Sequence, residues 1–349
     1  MKETRKNVAI IFGGKSAEHE VSVRSANAVY NNIDRDLFNP SLIYIDRDGN
    51  WSFIDEENIS DPGSDRSVKG TFIPWLKGKD LKCIIDIYFP VLHGPNGEDG
   101  RIQGMFEMAG VPFVGAGSFS SNLAMDKSVS KIIFRNAGLE IAEFKSFTSN
   151  DPESISRTIE EEFGYPCYVK PNSLGSSVGI SRVMNKEELR KAINEAFRFD
   201  TRIIIEEEII GKEYEVSVNG NNDPVASNPG SFIPSKDFYD YEDKYILGET
   251  EFQIPAELPE EKNKELCDSA VKAYKSLYLN GFSRVDFFIE EKTGRIIINE
   301  INTIPGFTEI SMFPKLWQTS GLNFKDLITE LIKLGFEHSE KIFSKENTP

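Results

Sequence analysis

The first third of the chain alternates apolar runs with polar, glycine-bearing breaks. Residues 8–12, Val-Ala-Ile-Ile-Phe, stop at Gly13-Gly14 and predict a buried strand. Residues 21–33 have apolar positions at helical spacing, and 42–45 predict the next strand. Another apolar run, 81–89, leads into a loop at Gly94-Pro95-Asn96-Gly97, then a helix over 100–109 and a short strand over 111–114. Strands alternating with helices predict an α/β sheet covered on both sides, with binding loops at the C-terminal ends of its strands.

The pattern changes after Gly115-Ala116-Gly117-Ser118. A helix is expected over 123–137, a turn at Gly164-Tyr165-Pro166, a strand over 167–170, a helix over 186–199 and a strand over 202–205. This is a compact α+β module. From about Asn219 the pattern predicts a long polar and aromatic loop and a helix over 261–278. Two buried strands joined by a turn at Gly294 follow, then a closing helix over 324–334. No repeat and no low-complexity linker separates these parts, so they are expected to share interfaces.

Length and charge narrow the class. At 349 residues the chain exceeds the usual size of a single core, which predicts two or three domains. Hydrophobic residues at 39% and aromatics at 11% are those of a folded protein. A net charge of −16, from 40 basic and 56 acidic residues, argues against nucleic acid or an anionic membrane as a standing partner. It does not exclude a small anion, whose binding depends on local lysines and backbone N–H groups. No apolar run approaches the length of a signal-peptide core or a membrane span. Cys83, Cys167 and Cys267 are odd in number and widely spaced, which fits a reduced compartment and offers no zinc pattern. A cytoplasmic location is expected.

The candidate chemistry centres on Asp286 in Phe-Ser-Arg-Val-Asp and on Glu300 and Asn302 in Ile-Asn-Glu-Ile-Asn. Glu300 and Asn302 are two apart, so a strand turns both side chains to one face. Two carboxylates and an amide oxygen suit Mg²⁺ carrying nucleotide phosphates. The alternative is a pair of ordinary strand acids. Their apolar neighbours, Val285, Phe287, Phe288, Ile296, Ile297, Ile298 and Ile301, favour the metal, because burying carboxylates without a cation costs several kcal/mol per ion. Arg284 is close enough in sequence to share the site.

Upstream, Lys170-Pro171-Asn172-Ser173-Leu174-Gly175-Ser176-Ser177-Val178-Gly179 follows a strand. Small residues let backbone N–H groups approach phosphate oxygens, and a lysine adds a point charge. The segment is neither the GxxxxGK[ST] loop nor a GxGxxG fingerprint, and an ordinary surface turn is the alternative. The acids Glu206, Glu207 and Glu208 after an apolar strand are explained better by a solvated strand end than by an adenine slot. Glu18, in the loop after the first strand, is either a partner for a substrate ammonium or a helix cap. His93 lies where substrate contacts gather. His19 reads as a local hydrogen-bonding residue, and His338 has nothing catalytic around it. The segment Phe238-Tyr239-Asp240-Tyr241-Glu242-Asp243-Lys244-Tyr245 is either a lid, with Lys244 reaching phosphate and Tyr245 covering substrate, or a surface patch. Gly306, in a tight turn after Asn302, offers an N–H beside Ser311.

Taken together, these segments resemble the D-alanine–D-alanine ligase family of the ATP-grasp superfamily, over roughly residues 7–334. The landmarks are Gly13-Gly14-Lys15-Ser16-Ala17-Glu18-His19-Glu20-Val21-Ser22, Leu92-His93-Gly94-Pro95-Asn96-Gly97-Glu98-Asp99-Gly100, Met125-Asp126-Lys127, Gly175-Ser176-Ser177-Val178-Gly179, Asp240-Tyr241-Glu242-Asp243-Lys244-Tyr245 and Asn302-Thr303-Ile304-Pro305-Gly306-Phe307-Thr308. The resemblance implies a three-domain ATP-grasp architecture, α/β and α+β. An N-terminal open α/β domain would span 1–122 and a central ATP-grasp subdomain 123–218. A C-terminal subdomain with the metal site and lid loop would span 219–349.

It also implies roles. Lys127 and Lys170 would meet nucleotide phosphates, with Ser177, Lys244 and Asn299 in the nucleotide site. Glu206, Glu207, Glu208 and Ile209 would meet adenine and Glu213 ribose, reversing the reading of the acidic run as a solvated end. Asp286, Glu300 and Asn302 would hold two Mg²⁺ (or Mn²⁺). Glu18, Ser176 and Tyr245 would hold the first substrate's amine, with His93 beside it. Arg284 and the Gly306 N–H would stabilise the tetrahedral centre, and Ser311 and Met312 would meet the second substrate. The implied activity joins two D-alanines with ATP for peptidoglycan synthesis, in a homodimer. Tyr245 and Ser311-Met312-Phe313-Pro314 favour a peptide over an ester product. The alternatives are D-lactate or D-serine as acceptor on the same fold, or a non-enzymatic nucleotide-binding module.

Overall fold

The computed structural model describes residues 5–59, 85–233 and 251–344. The first sheet has the order β3-β2-β1-β4, with β1 (Lys6–Gly13), β2 (Phe38–Ile45), β3 (Trp51–Ile54) and β4 (Ile87–Pro90). β1 pairs parallel with β2 and β4, so it is central, and Val8 to Phe12 are fully buried. This accounts for the unbroken apolar run: a strand covered on both faces has no polar side. The strand ends at Gly13, whose φ of +90 and whose position against the Ile45 carbonyl exclude a side chain.

One face of this sheet is covered by helices from opposite ends of the chain, α1 (His19–Asn32) and the terminal helix (Phe324–Phe343). The other is covered by α2 (Arg101–Ala109), through Ile102 and Phe106. The terminal helix brings Leu327, Ile328, Leu331 and Ile332 into the N-terminal core, so the first strand and the last helix share one core. It runs nine residues past the expected stop. Gly335, which reads as a helix end, instead lets the helix approach the Phe113 carbonyl, where a Cβ would sit at 2.7 Å.

The expected single helix over 123–137 is two, α3 (Ser118–Met125) and α4 (Lys127–Asn136). Asp126 breaks them by leaving helical geometry and accepting the Val129 N–H at 3.0 Å as the cap of α4. Lys127 therefore opens α4, and Lys131 follows one turn later on the same face.

Short β5 (Glu140–Ile141) and β6 (Phe144–Phe147) lead to α5 (Pro152–Glu162), β7 (Cys167–Pro171), β8 (Ser181–Val183), α6 (Lys186–Ala196) and β9 (Ile203–Glu207). The order β6-β9-β7-β8 is antiparallel, and α5 and α6 pack on this sheet through Ile155, Ile159, Leu189 and Ile193.

Among the described residues, the third sheet has seven strands. β10 (Gly211–Asn219), β11 (Val225–Ala226), β12 (Gly230–Ile233) and β13 (Glu251–Gln253) precede α7 (Glu260–Ser276), and β14 (Phe282–Glu290) and β15 (Ile296–Asn302) follow it. The order is β13-β12-β10-β14-β15-β5, with β11 on β10. α7 covers it with Leu266, Ala270, Ala273 and Tyr274. α8 (Met312–Thr319) and α9, the terminal helix, complete the chain. The Gly294 turn between β14 and β15 is closed by Gly294 N–H to the Glu290 carbonyl at 2.8 Å. No described helix is long and apolar enough to cross a membrane.

Candidate active site

Strand register builds the first part of the site. Asp286 on β14 lies opposite Glu300 on β15, and Arg284 opposite Asn302. One step further the register slips, so that Phe287 faces Ile298 and Asn299 is the extra residue of a bulge. The bulge reconciles the unbroken Ile296-Ile297-Ile298 run with a polar end. Arg284 donates to both Asp286 oxygens, at 2.7 and 2.6 Å, and its Nε lies 3.1 Å from Glu215 Oε2. Asn302 Nδ2 donates to Asp286 Oδ2 at 2.9 Å, keeping its own carbonyl oxygen as an acceptor. Glu300 pairs with Lys127 at 2.9 Å.

The buried Asp286 is thus already charge-compensated by Arg284, and burial alone does not call for a metal. The fit rests on donor chemistry. Two carboxylates in register and an adjacent amide oxygen form a hard-oxygen set open to phosphate oxygens as further ligands. Among the described residues, no three His, Cys, Asp or Glu side chains gather as a metal group by themselves.

A second part surrounds Glu206. It is not on a solvated end: it is the fourth residue of β9 and 3% exposed. Lys170 on β7 donates to its Oε2 at 2.7 Å, and Lys131 on α4 lies 3.3 Å from its Oε1. Burial alone would raise the Glu206 pKa, but the charges of Lys131 and Lys170 and their hydrogen bonds bring it down to about 2. For Lys170, burial is outweighed by Glu206 and by the charges of Glu300 and Glu213, and its pKa is raised. For Lys131 burial wins, helped by repulsion from Lys170, and its pKa is lowered. One anion between two cations gains from both, whereas the cations share it. Glu207 accepts the Glu143 N–H at 2.9 Å, Glu208 pairs with Arg182, and half-buried Ile209 follows. Glu213 sits on β10 opposite Phe288.

Backbone and loops supply the rest. Lys127 is positioned by Asn172, whose carbonyl accepts its N–H at 3.0 Å, and its Nζ donates to the Leu174 carbonyl at 2.9 Å. Ser176 and Ser177 both adopt left-handed backbone, φ 52 and 58, in the loop after β7. This turn carries the Ser176 hydroxyl to Glu18 Oε1, to which it donates. Glu18 is the residue before α1 and is buried, but its side chain makes no capping bond; the carboxylate is turned to Ser176. A small cleft beside this group is lined by Glu98, Met125, Lys127, Gly175, Glu300 and Asn302. The larger cleft, about 270 Å³ by Asn219, Trp317 and Glu330, has no basic lining residue and does not suit a triphosphate.

His93 and Ser25 form a clasp that sequence reading did not find. Phe307 N–H donates to Ser25 Oγ at 3.2 Å, Ser25 Oγ is 2.9 Å from His93 Nε2, and His93 Nδ1 is 3.0 Å from the Ile304 carbonyl. Burial disfavours a charged His93, but the Glu98 hydrogen bond, the charges of Glu98 and Glu18, and the Ile304 carbonyl outweigh it and raise its pKa. The clasp brackets Gly306, and Phe307 is locked among Phe89, Phe282 and Phe313 at 5.2 to 5.8 Å. Ser311 Oγ accepts the Thr308 N–H at 3.1 Å beside Gly306. Met312 is buried against Phe232 and Leu316. Tyr245 and Lys244 lie outside the described residues. Lys131, also unrecognised in the sequence, had a signal: it is four residues after Lys127 on one helical face.

Comparison with known proteins places the chain in a family. Family models described as D-ala D-ala ligase N-terminus and C-terminus match residues 7–116 and 133–333. A D-alanine–D-alanine ligase of Acetivibrio thermocellus is 45% identical, covering 95% of this chain and 96% of its own. Among solved structures, the D-alanine-D-alanine ligase of Coxiella burnetii is 33% identical with a TM-score of 0.88, covering 97% of this chain and 96% of that one. The VanG D-Ala:D-Ser ligase of Enterococcus faecalis is 37% identical with a TM-score of 0.86, covering 95% of this chain and 100% of that one. The architecture is that of the ATP-grasp superfamily. Within it, the chain belongs to the D-alanine–D-alanine ligase family.

Proposed function

We propose that the protein joins two D-alanine molecules into D-alanyl-D-alanine for peptidoglycan synthesis, converting ATP to ADP and phosphate. The observation that carries this reading is the Lys127–Glu300 pair at 2.9 Å, which puts a lysine suited to phosphate against a carboxylate suited to a divalent ion. In this reading Lys127 and Lys170 draw in the triphosphate, with Ser177 and Asn299 lining its path. Glu206, Glu207, Glu208, Ile209 and Glu213 border adenine and ribose. Asp286, Glu300 and Asn302 would hold two Mg²⁺ or Mn²⁺, which would offset charge on the transferring phosphoryl group.

The first D-alanine is held by its ammonium on Glu18, oriented by Ser176 and by Tyr245, with His93 nearby. Its carboxylate oxygen attacks the γ-phosphorus, ADP leaves, and an acyl phosphate replaces a carboxylate that has no usable leaving group. The amine of the second D-alanine, whose carboxylate lies near Ser311, attacks the acyl carbon after losing a proton. Arg284 and the Gly306 N–H stabilise the tetrahedral oxyanion, and phosphate departs. Met312 supports Ser311 from the core, and Lys244 adds charge over the phosphates. The protein acts in the cytoplasm as a homodimer, without nucleic acid or membrane as partner.

The acceptor is supported by sequence: relatives named D-alanine–D-alanine ligase are 43 to 45% identical over nearly the whole chain. Architecture is shared with a D-Ala:D-Ser ligase and does not discriminate. ADP release measured with D-alanine alone and with D-serine or D-lactate added, with products identified by mass, tests the reading. D-Alanyl-D-alanine is expected as the main product. No ADP release on adding D-alanine, or preferential formation of the mixed product, overturns it.

A further inference from the structure

Lys131 is a costly residue where it stands. Its side chain is 1% exposed, and its nearest anion, Glu206 at 3.3 Å, is already bonded to Lys170 at 2.7 Å. A single lysine would neutralise Glu206. With two, the buried trio carries one formal positive charge in excess, where an unmatched charge is costly. The nearby Glu300, paired with Lys127, also attracts both lysines through its charge. Partly exposed Glu213 acts on Lys170 through its charge.

We infer that Lys131 is a positioning residue for ATP: it takes over part of the Glu206 charge, so that Lys170 keeps a positive charge to offer the nucleotide phosphates. The inference rests on the proposed phosphate role of Lys170. Two ammonium groups on one carboxylate leave a net cation facing the phosphates. Without Lys131, Glu206 and Lys170 form a closed neutral pair, and the lysine is held away from its ligand. Placement explains the division of labour. Lys170 is on β7 in the loop approach, whereas Lys131 is on α4 behind Glu206, too enclosed to touch a ligand itself.

The test compares Lys131→Met with wild type in ADP release, thermal unfolding without nucleotide, and calorimetric titration of ADP. The KM for ATP is expected to rise at least ~10-fold while the KM for D-alanine stays within ~2-fold, the split that marks lost nucleotide binding. The melting temperature is expected to be unchanged or higher, because removing an excess buried charge relieves a cost. A packing role predicts the reverse: a lower melting temperature and no split between the two KM values. An unfolded K131M or an unchanged KM for ATP each overturns the inference. Failure of the ligase reading is separate, since wild type would then release no ADP.

Discussion

Two buried carboxylates, Asp286 and Glu206, meet the same electrostatic problem with different solutions. Asp286 is closed by a guanidinium two residues away on its own strand, in a bidentate pair fixed by β-sheet alternation. Glu206 draws its counter-ions from α4 and β7, distant in sequence and brought together only by folding. The first site has its main counter-ion on its own strand; the second is a junction. The acids around Asp286 could therefore be read from neighbouring residues, whereas those around Glu206 looked like a solvated strand end.

The sharpest way to break this comparison is Glu206→Gln. It leaves two buried lysines without their anion and is expected to destabilise the fold by about 3–5 kcal/mol in denaturant titrations at neutral pH. The sign with pH follows from the depressed pKa. Stabilisation by Glu206 is fully present above the ordinary carboxylate value of 4.5 and is lost as pH falls toward about 2. Wild type should lose stability through that window and E206Q should be flatter.

Glu300→Gln should act on chemistry instead. Turnover is expected to fall at least ~100-fold with the fold intact, because the metal geometry is part of the transition-state field. If E206Q altered only turnover and E300Q only stability, the distinction drawn between the two sites would be lost.

Smaller effects sharpen the picture at the loop after β15. Ser25→Ala leaves the Phe307 N–H and His93 short of a partner and should cost about 1–3 kcal/mol in the same titrations. An unaffected midpoint would mean the clasp does not hold the loop. Gly306→Ala places a Cβ 2.7 Å from Ser311 Oγ. It should slow turnover on the order of 10-fold by displacing the N–H, a shift of about 1–3 kcal/mol being typical of overpacking. Full activity would remove that N–H from the mechanism.

Much of the fold was legible because it is local. The buried strand at Val8 to Phe12, α1 and the Gly294 hairpin follow from periodicity and turn residues within a few positions. The break at Asp126 was missed because a cap is a competition between side chain and helix, and Leu123 to Ala137 has good helical spacing on either side. The sequence reading assigns no element over 211–218, although β10 there alternates polar and apolar residues and pairs with β14 along its length.

By itself the sequence determined the chemical inventory: which carboxylates, lysines and glycines exist, their order, and strand alternation setting Glu300 and Asn302 on one face. Tertiary structure alone decided which charges meet. The Glu18–Ser176 bond, the Lys127–Glu300 pair, the Ser25–His93 clasp and the two lysines on Glu206 join residues from separate elements. The reason is physical: backbone preferences act over a few residues, whereas electrostatic pairing depends on distance in space, which only the packed sheets and helices define.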